Sequence, residues 1–199
     1  MRVGIITFAR AINYGAILQA FALRKTVISL GSECDIINYV CHMQKSKSKT
    51  NIVSAVKSLF IELFQLPKKI KFLQFRKIMS YTHKYNKGTI SLANKYYDCF
   101  LCGSDQVFNY KLTGEDYNYM LQFVVDPKKK NSYAASFGLK SIDDEYAEQY
   151  RSLLNDFEHL SVREFQGSLI VHELIGMKCP VVLDPVFVPV YCPVVLDPV

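Results

Sequence analysis

The chain of 199 residues is predicted to fold as an α/β protein with a doubly wound, mostly parallel sheet. Three observations predict this class. Short apolar runs typical of buried strands alternate with segments of helical periodicity along the chain. The first run, residues 3–8, is unbroken, as expected for a strand that is covered on both faces. A glycine-bearing turn follows this run and leads directly into a helical pattern, which is how a strand–helix–strand unit begins.

The first such unit occupies the start of the chain. Ile17, Phe21 and Val27 belong to an apolar pattern at helical spacing. The pattern runs to Gly31, a residue suited to a left-handed helix end. Residues 33–40 then predict the second strand, which completes a right-handed crossover.

A basic helical insert is predicted at about residues 45–90. It combines a polar loop at residues 41–50 with two helices, over residues 52–64 and from Pro67 onward. Its only acidic residue is Glu62, so its Lys and Arg residues account for more than the whole net charge of +6. The simpler interpretation is a helical pair with a solvated lysine face. The alternative is peripheral contact with a membrane surface or a lipid-linked substrate.

Strands and helices continue to alternate after the insert, so residues 1–186 are assigned to one Rossmann-like domain. The further strands are expected at residues 96–102, 131–137, 159–163 and 180–183. The further helices are expected at residues 143–154 and 164–175.

The composition indicates a packed globular domain, since 50% of the residues are hydrophobic. No run reaches the length of a membrane-spanning helix, and the start lacks the pattern of a signal peptide. The expected location is therefore the cytoplasm. The basic insert is also compatible with a location at the inner face of the membrane. The basic segment contains no recognisable nucleic-acid reader, which argues against that class of partner.

The cysteines are expected to be reduced and packed. Cys99 and Cys102 have CxxC spacing but lie inside a predicted strand, and Cys34 and Cys41 flank another strand. No second pair of cysteines and no matching histidine pair completes a zinc set. No metal site is therefore expected.

The turn after the first strand matches no cofactor motif. Gly15 stands alone where a dinucleotide fingerprint needs three glycines, and no phosphate-binding Gly-Lys-Ser/Thr follows. Asn13, Tyr14 and Gln19 instead offer neutral hydrogen-bonding groups that suit a hydroxyl-rich ligand such as a sugar. The alternative is that Asn13 caps the helix and Tyr14 only packs.

Other polar groups follow later strands. Ligands of open parallel sheets bind at the carboxyl ends of the strands, so these groups are expected to share one edge with the first turn. The residues concerned are Gly103, Ser104, Asp105, Ser136, Arg163 and Glu164. For Arg163 and Glu164, an ion pair at a helix start is an equally simple interpretation.

Five motifs occur in a fixed order along the chain. They are FARAINYGAILQA at residues 8–20, GSDQVFN at 103–109, SYAASFG at 132–138, SVRE at 161–164 and VLDP at 182–185. Together they resemble the N-terminal part of the polysaccharide pyruvyl transferase family. The resemblance implies half of a GT-B-like fold, in which two Rossmann-like domains enclose the active site. It also implies transfer of pyruvate from phosphoenolpyruvate to paired sugar hydroxyls, as a cyclic ketal, in the synthesis of surface polysaccharides.

The same resemblance implies roles for the predicted site. The chain would supply the acceptor half, with Asp105 as general base and with Asn13, Tyr14 and Gln19 contacting the sugar hydroxyls. Phosphoenolpyruvate would be the donor substrate, no cofactor would be needed, and the acceptor would be a sugar or a lipid-linked oligosaccharide. The family's cationic groups around the donor come mainly from a second domain, which is not expected in this chain.

The C-terminal end repeats itself. Residues 179–186, CPVVLDPV, recur letter for letter as residues 192–199. We interpret residues 187–199 as a duplicated tail of a truncated product whose activity is in doubt, with an extra hairpin as the alternative. The surface that would contact the second domain would then be exposed, so the chain could form oligomers through it.

Two other classes of function stay open at this point. One is a GT-B sugar-nucleotide glycosyltransferase with the same two-domain plan, against which the motif set argues. The other is a non-catalytic remnant that binds glycan or pairs with another subunit.

Overall fold

The structure, a computed structural model, describes residues 1–40 and 66–188. Three predictions lie outside the described residues. They are the polar loop at residues 41–50, the helix at residues 52–64 and the second copy of the octapeptide at residues 192–199.

Five parallel strands form one sheet. They are β1 (Arg2–Ile6), β2 (Glu33–Tyr39), β3 (Tyr81–Tyr85), β4 (Cys99–Cys102) and β5 (Lys130–Ser132). Their order across the sheet is β3-β2-β1-β4-β5. This is the order of the first five strands of a Rossmann fold, so the predicted α/β class is confirmed. The order reverses between β1 and β4, which makes the carboxyl ends of these two strands the switch point of the sheet.

Helices flank this sheet. They are α1 (Tyr14–Ser29), α2 (Leu66–Lys77), the single turn α3 (Tyr110–Thr113), α4 (Asp144–Asn155) and α5 (Phe165–Ile175). On one side, Leu23 of α1 packs on Val3 and Ile5 of β1. A larger apolar cluster joins Ile6 of β1 and Phe100 of β4 to residues of α4 and α5. The sheet is therefore buried on both faces, as the unbroken first strand predicted.

The helix boundaries follow from capping residues. Asn13 precedes α1, and its Oδ1 accepts a hydrogen bond from the Ala16 amide at 3.3 Å. At the other end of the chain, α5 stops at Gly176, where φ is 70° and the amide donates to the His172 carbonyl at 2.8 Å. Such caps satisfy backbone groups that the helix itself leaves unpaired. The helices predicted at residues 143–154 and 164–175 are confirmed to within one or two residues.

The basic insert is not wholly helical, which corrects the prediction for residues 45–90. In its described part, α2 is followed by the strand β3, which pairs in parallel with β2 at the edge of the sheet. Residues 90–95 then form a 3-10 helix. β3 was missed because its sequence, YTHKY, is short and rich in polar groups. An edge strand with one neighbour tolerates such a sequence.

Four other predicted strands are shorter than expected or absent as full strands. The run at residues 96–102 begins its strand only at Cys99, and the run at residues 131–137 is a strand only up to Ser132. Ala134 then has a φ of 51°, which takes the backbone out of the extended region. The runs at residues 159–163 and 180–183 contribute isolated parallel bridges. These join Asn131 to His159, Ala135 to Val162, and Val162 to Val181. They therefore extend the sheet beyond β5 in the predicted order but not as full strands.

Candidate functional site

A cleft of about 200 Å³ lies at the switch point of the sheet. It is formed by residues that follow β1, by Asp105 after β4, and by two later segments. These segments contain Arg163 and Asp184 and follow the bridge residues Val162 and Val181. Its lining residues are Asn13, Gly15, Ala16, Gln19, Asp105, Arg163, Asp184 and Val186. Open α/β sheets bind ligands at this position, because the loops after β1 and β4 diverge there and leave a crevice.

Gly103 allows the chain to turn sharply into the cleft after β4. Its φ is 122°, and a Cβ at this position would overlap the carbonyl oxygen of Tyr133. The following peptide bond, between Gly103 and Ser104, is cis. A residue with a side chain would be strained here by both its backbone conformation and the contact. The glycine therefore lets the turn that carries Asp105 lie directly against the segment after β5.

Gln19 joins the two sides of the switch point. Its side chain is 2% exposed. The amide nitrogen donates to Thr7 Oγ1 and to the Ala16 carbonyl, each at 2.8 Å. The amide oxygen accepts from the Ser104 backbone N–H at 2.9 Å. These contacts fix the turn after β4 to helix α1, so Gln19 acts within the protein as a support of the cleft.

A polar network closes the opposite side of the cleft. Asp184 Oδ2 accepts from Ser104 Oγ at 2.8 Å and from Arg163 Nη1 at 3.2 Å. The same Arg163 nitrogen donates to the Ser104 carbonyl at 3.0 Å. The positive charge of Arg163 is thus largely neutralised by Asp184, and the network orients the turn that leads to Asp105.

Glu164 holds the turn after β5. Its Oε1 accepts from Ser136 Oγ at 3.0 Å and from the Phe137 amide at 2.9 Å. The Gly138 amide is within 3.4 Å of the same oxygen. The Arg163 guanidinium lies 3.8 Å from the other carboxylate oxygen, so the predicted ion pair at the helix start is present but long. Glu164 and Ser136 therefore contact each other beside the cleft rather than within its lining.

Asp105 is the carboxylate with an oxygen available to a ligand. Its Oδ1 accepts from the Gln106 amide at 2.8 Å, while Oδ2 has no hydrogen-bond partner among residues 1–40 and 66–188. Burial raises the pKa of Asp105, and the nearby charge of Asp184 adds to this effect. The Gln106 amide and Arg163 act in the opposite direction. A carboxylate with a raised pKa is a better proton acceptor than an ordinary surface aspartate.

The structure brings most of the predicted site residues together. Asn13, Gly15, Gln19, Asp105 and Arg163 line one cleft, and Gly103 and Ser104 form the turn beneath it. Asn13 also caps α1, so the alternative interpretation of this residue is confirmed.

Tyr14 does not line the cleft. Its ring packs against Phe72 of α2 with the centroids 4.8 Å apart, which agrees with the alternative that it packs. Asp184 was not among the predicted site residues, although it lies in the VLDP motif. That motif supplied the available signal, because an aspartate directly before a proline marks a fixed turn rather than a continuing strand.

Together the sheet order and the cleft define an α/β protein of Rossmann topology whose switch-point cleft is lined by amide groups, two carboxylates and one arginine. A model of the polysaccharide pyruvyl transferase family matches residues 13–198, and the chain therefore belongs to that family. The matched range begins at Asn13 and includes every residue that lines the cleft. No curated protein and no solved structure matches the chain.

Four cysteines of the described residues lie outside the cleft. Cys34, Cys99, Cys102 and Cys179 are free thiols, and burial raises the pKa of Cys34 to about 12. Within residues 1–40 and 66–188, no cluster of three His, Cys, Asp or Glu side chains is arranged to hold a metal ion. No helix in those same ranges is long and apolar enough to cross a membrane.

Proposed function

We propose that the chain takes part in the transfer of pyruvate from phosphoenolpyruvate to two hydroxyls of a sugar, and that the cleft holds the sugar. Membership of the polysaccharide pyruvyl transferase family supports the reaction class. The chemistry of the cleft supports the assignment of the sugar to this part of the molecule.

The observation that carries the proposal is the charge balance of the cleft. Asp105 and Asp184 are two carboxylates, and Arg163 is the cation among the residues that line it. Arg163 is bound to Asp184 at 3.2 Å, so its charge is already compensated. A trianionic donor gains little in such surroundings, whereas a neutral sugar can use the carboxylate and amide oxygens as hydrogen-bond acceptors.

Asp105 is proposed as the general base. Its free oxygen takes the proton of one sugar hydroxyl while that hydroxyl oxygen forms a bond to C2 of phosphoenolpyruvate. The methylene carbon C3 gains a proton, and the C–O bond to phosphate breaks. The second hydroxyl then adds to C2 and loses its proton, which completes the ketal. The products are the ketal and inorganic phosphate, and no oxidant or reductant is consumed.

The donor is proposed to bind outside this cleft. Its phosphate requires cations that are free to stabilise the departing charge, and the guanidinium of Arg163 is engaged by Asp184 and Ser104. A donor site facing the acceptor cleft from another unit would correspond to the GT-B plan. We therefore propose that the described residues form the acceptor side of such an arrangement.

The test is a direct comparison of donors. The full chain is incubated with phosphoenolpyruvate and methyl pyranosides that carry free 4- and 6-hydroxyls, and products are followed by mass spectrometry and phosphate release. The expected product is a sugar that has gained one pyruvate ketal. Consumption of a sugar nucleotide in place of phosphoenolpyruvate would favour a glycosyltransferase. Saturable sugar binding without turnover of either donor would favour the glycan-binding alternative.

A further inference from the structure

A second pocket lies away from the cleft. Its volume is about 390 Å³, which falls within the range of about 300–1,000 Å³ common for small-molecule sites. It is lined by Arg2, Asp35, Tyr81, Thr82, His83, Tyr85, Tyr96 and Tyr97. Arg2 starts β1, and Tyr97 comes just before β4, whereas the cleft is built from residues that follow these strands. The two sites therefore lie at opposite ends of β1 and β4.

Aromatic rings form the walls of this pocket, which is termed the tyrosine pocket below. The His83 and Tyr85 rings lie 4.2 Å apart between centroids, and the Tyr96 ring stands edge-on to His83 at 6.5 Å. Tyr85 is 1% exposed and Tyr96 is 52% exposed, so one ring belongs to the floor and the other to the rim. Rings in this arrangement offer apolar faces to a ligand together with polar edges.

One hydrogen-bonding group of the pocket, the Tyr85 hydroxyl, remains available. The Tyr85 hydroxyl has no partner within residues 1–40 and 66–188, although nearly all of the residue is buried. Burial raises the pKa of Tyr85, so this hydroxyl is protonated at neutral pH and can both donate and accept. The hydroxyl is not one of the fully buried unpaired side-chain atoms of the described residues, so it reaches the pocket and is open to a ligand or to water.

The charges of the pocket cancel one another. The Arg2 Nη2 atom lies 2.9 Å from Asp35 Oδ2, and Tyr97 donates to the same oxygen at 3.3 Å. Ser80 donates to Asp35 Oδ1 at 3.1 Å. The carboxylate is therefore occupied by protein donors, and the guanidinium is paired. Among the described residues that line the pocket, neither an anionic nor a cationic ligand finds a free counter-charge.

We propose that the tyrosine pocket is a carbohydrate-binding site for a neutral pyranose, separate from the cleft at the switch point. Three features of the described residues fit this ligand class. They are aromatic rings at the rim that can pack against sugar C–H groups, the accessible Tyr85 hydroxyl, and charged groups that are paired with each other. A charged sugar lacks a partner in the pocket, and a purely aromatic ligand would leave the Tyr85 hydroxyl unsatisfied. The site goes beyond the proposed transfer reaction, because it holds none of the residues assigned to that reaction.

The test uses His83 as a local reporter, so that binding in the cleft is not mistaken for binding here. The full chain labelled with ¹³C-histidine is titrated with the methyl glycosides of glucose, galactose and N-acetylglucosamine. The His83 signal is assigned from its loss in the His83→Gln variant. The expected result is a saturable shift of this signal with a dissociation constant of about 1 mM, a common affinity for a single sugar unit in a shallow site.

Two variants and one control decide the outcome. Tyr85→Phe removes only the hydroxyl and is expected to weaken the response about five- to tenfold, while Tyr96→Ala removes the rim ring and weakens it at least as much. Tyr146→Phe, which loses a hydroxyl bonded to Glu115 at 3.0 Å elsewhere on the molecule, is expected to leave it unchanged.

Three outcomes would overturn the proposal. The first is a folded protein whose His83 signal does not move, and the second is a response that both pocket variants retain in full. The third is tighter binding of methyl glucuronide, glucosamine or adenosine than of the neutral glycosides. Asp105→Asn does not alter the His83 response if the sites are separate, so failure of the transfer reaction and failure of this site are distinguished.

Discussion

Asp105 illustrates, at the scale of a single residue, how a site is maintained at the expense of stability. Its side chain is half-buried, and this partial removal from water raises its pKa and disfavours the charged form in the folded protein. Oδ2 has no protein partner within residues 1–40 and 66–188, and the raised pKa increases the basicity of the group. A residue selected for stability alone would not combine a buried charge with an unused acceptor.

Asp105→Asn is therefore expected to change activity and stability in opposite directions. Asn keeps the oxygen that accepts from Gln106 but cannot take a proton, so turnover should fall by about a hundredfold or more. At pH 7 the variant should unfold at a higher urea concentration, because no charge is buried. The control is Asp144→Asn, which changes an exposed aspartate at the start of α4. Near-normal turnover in Asp105→Asn would reject the role of base.

The stability difference between the wild type and Asp105→Asn depends on pH, and the direction of the Asp105 pKa shift determines how. The ordinary pKa is 3.8, and the folded-state value lies above it. The folded protein thus binds more protons than the unfolded chain between these two values, so the free energy of unfolding falls as pH rises through that window. In Asp105→Asn this contribution to the free energy of unfolding is absent, because asparagine does not titrate. The difference between the two proteins, measured by urea unfolding, should be smallest below the ordinary pKa and largest at neutral pH.

Gly103→Ala tests the backbone requirement of the same turn. The substitution combines a φ of 122° with an overlap on the Tyr133 carbonyl, and we expect it to cost about 3 kcal/mol or more. Gly176→Ala is the matched control, since its φ is 70° but open space surrounds the added Cβ. That variant should lose only about 1 kcal/mol. Equal losses in the two variants, measured by chemical denaturation, would show that the contact with Tyr133 does not matter.

At the scale of secondary-structure elements, Glu164 connects the start of α5 to the turn after β5. One carboxylate oxygen accepts hydrogen bonds from a side chain and from the backbone of that turn. The turn has no helix or full strand to hold it, because the extended backbone is interrupted at Ala134. The side chain of Glu164 therefore replaces pairing that a longer β5 would have supplied.

Glu164→Ala is expected to destabilise the protein by about 2 kcal/mol, since two or more donors lose a charged acceptor at a partly exposed site. Glu164→Gln keeps an acceptor oxygen and should lose clearly less. Glu148→Ala, at a glutamate whose side chain is 89% exposed, is the control and should stay within about 0.5 kcal/mol of the wild type. Amide hydrogen exchange at Phe137 reports on the turn itself. Unchanged protection there would contradict the role given to Glu164.

The elements that could be predicted from the sequence are those whose signals are local. Asn13 and Gly176 mark helix ends through their own conformational preferences, and α1, α4 and α5 were predicted accordingly. β3 was not, because its stability comes from pairing with β2 and from packing, neither of which its five residues encode alone. The break at Ala134 likewise depends on contacts distant in sequence.

The candidate site shows the same division between local and distant information. The Asp105 turn was visible because a glycine and a carboxylate follow an apolar run. The partner of Arg163 was not, since Asp184 lies 21 positions further along the chain. Gln19 was predicted as a group that contacts sugar, but the sequence did not indicate that its side chain forms three hydrogen bonds within the protein. A sequence indicates that a side chain is polar, but tertiary structure decides which partner it finds.

At the scale of the whole molecule, the position of the cleft follows from topology. The chain builds β2 and β3 on one side of β1 and then returns to place β4 and β5 on the other. β1 and β4 are hydrogen-bonded neighbours in the sheet, but the loops that follow them diverge, so the width of the crevice depends on a link between these loops. Gln19 supplies it, reaching from α1 to Thr7 after β1 and to the Ser104 amide after β4. A crevice with a fixed width requires such a link.

Gln19→Leu tests whether this link holds the molecule's two halves in register. Leucine has a similar volume but leaves the Thr7 hydroxyl and the Ser104 amide without their partner, so we expect a loss of about 3 kcal/mol in the free energy of unfolding. Turnover should fall as well, because the Asp105 turn is no longer fixed to α1. Gln149→Leu, at a half-buried glutamine of α4, is the control and should stay close to the wild type. If Gln19 instead contacts the sugar directly, the variant will raise KM for the acceptor while the urea midpoint stays unchanged. That result would replace the supporting role by the contact that the sequence first suggested.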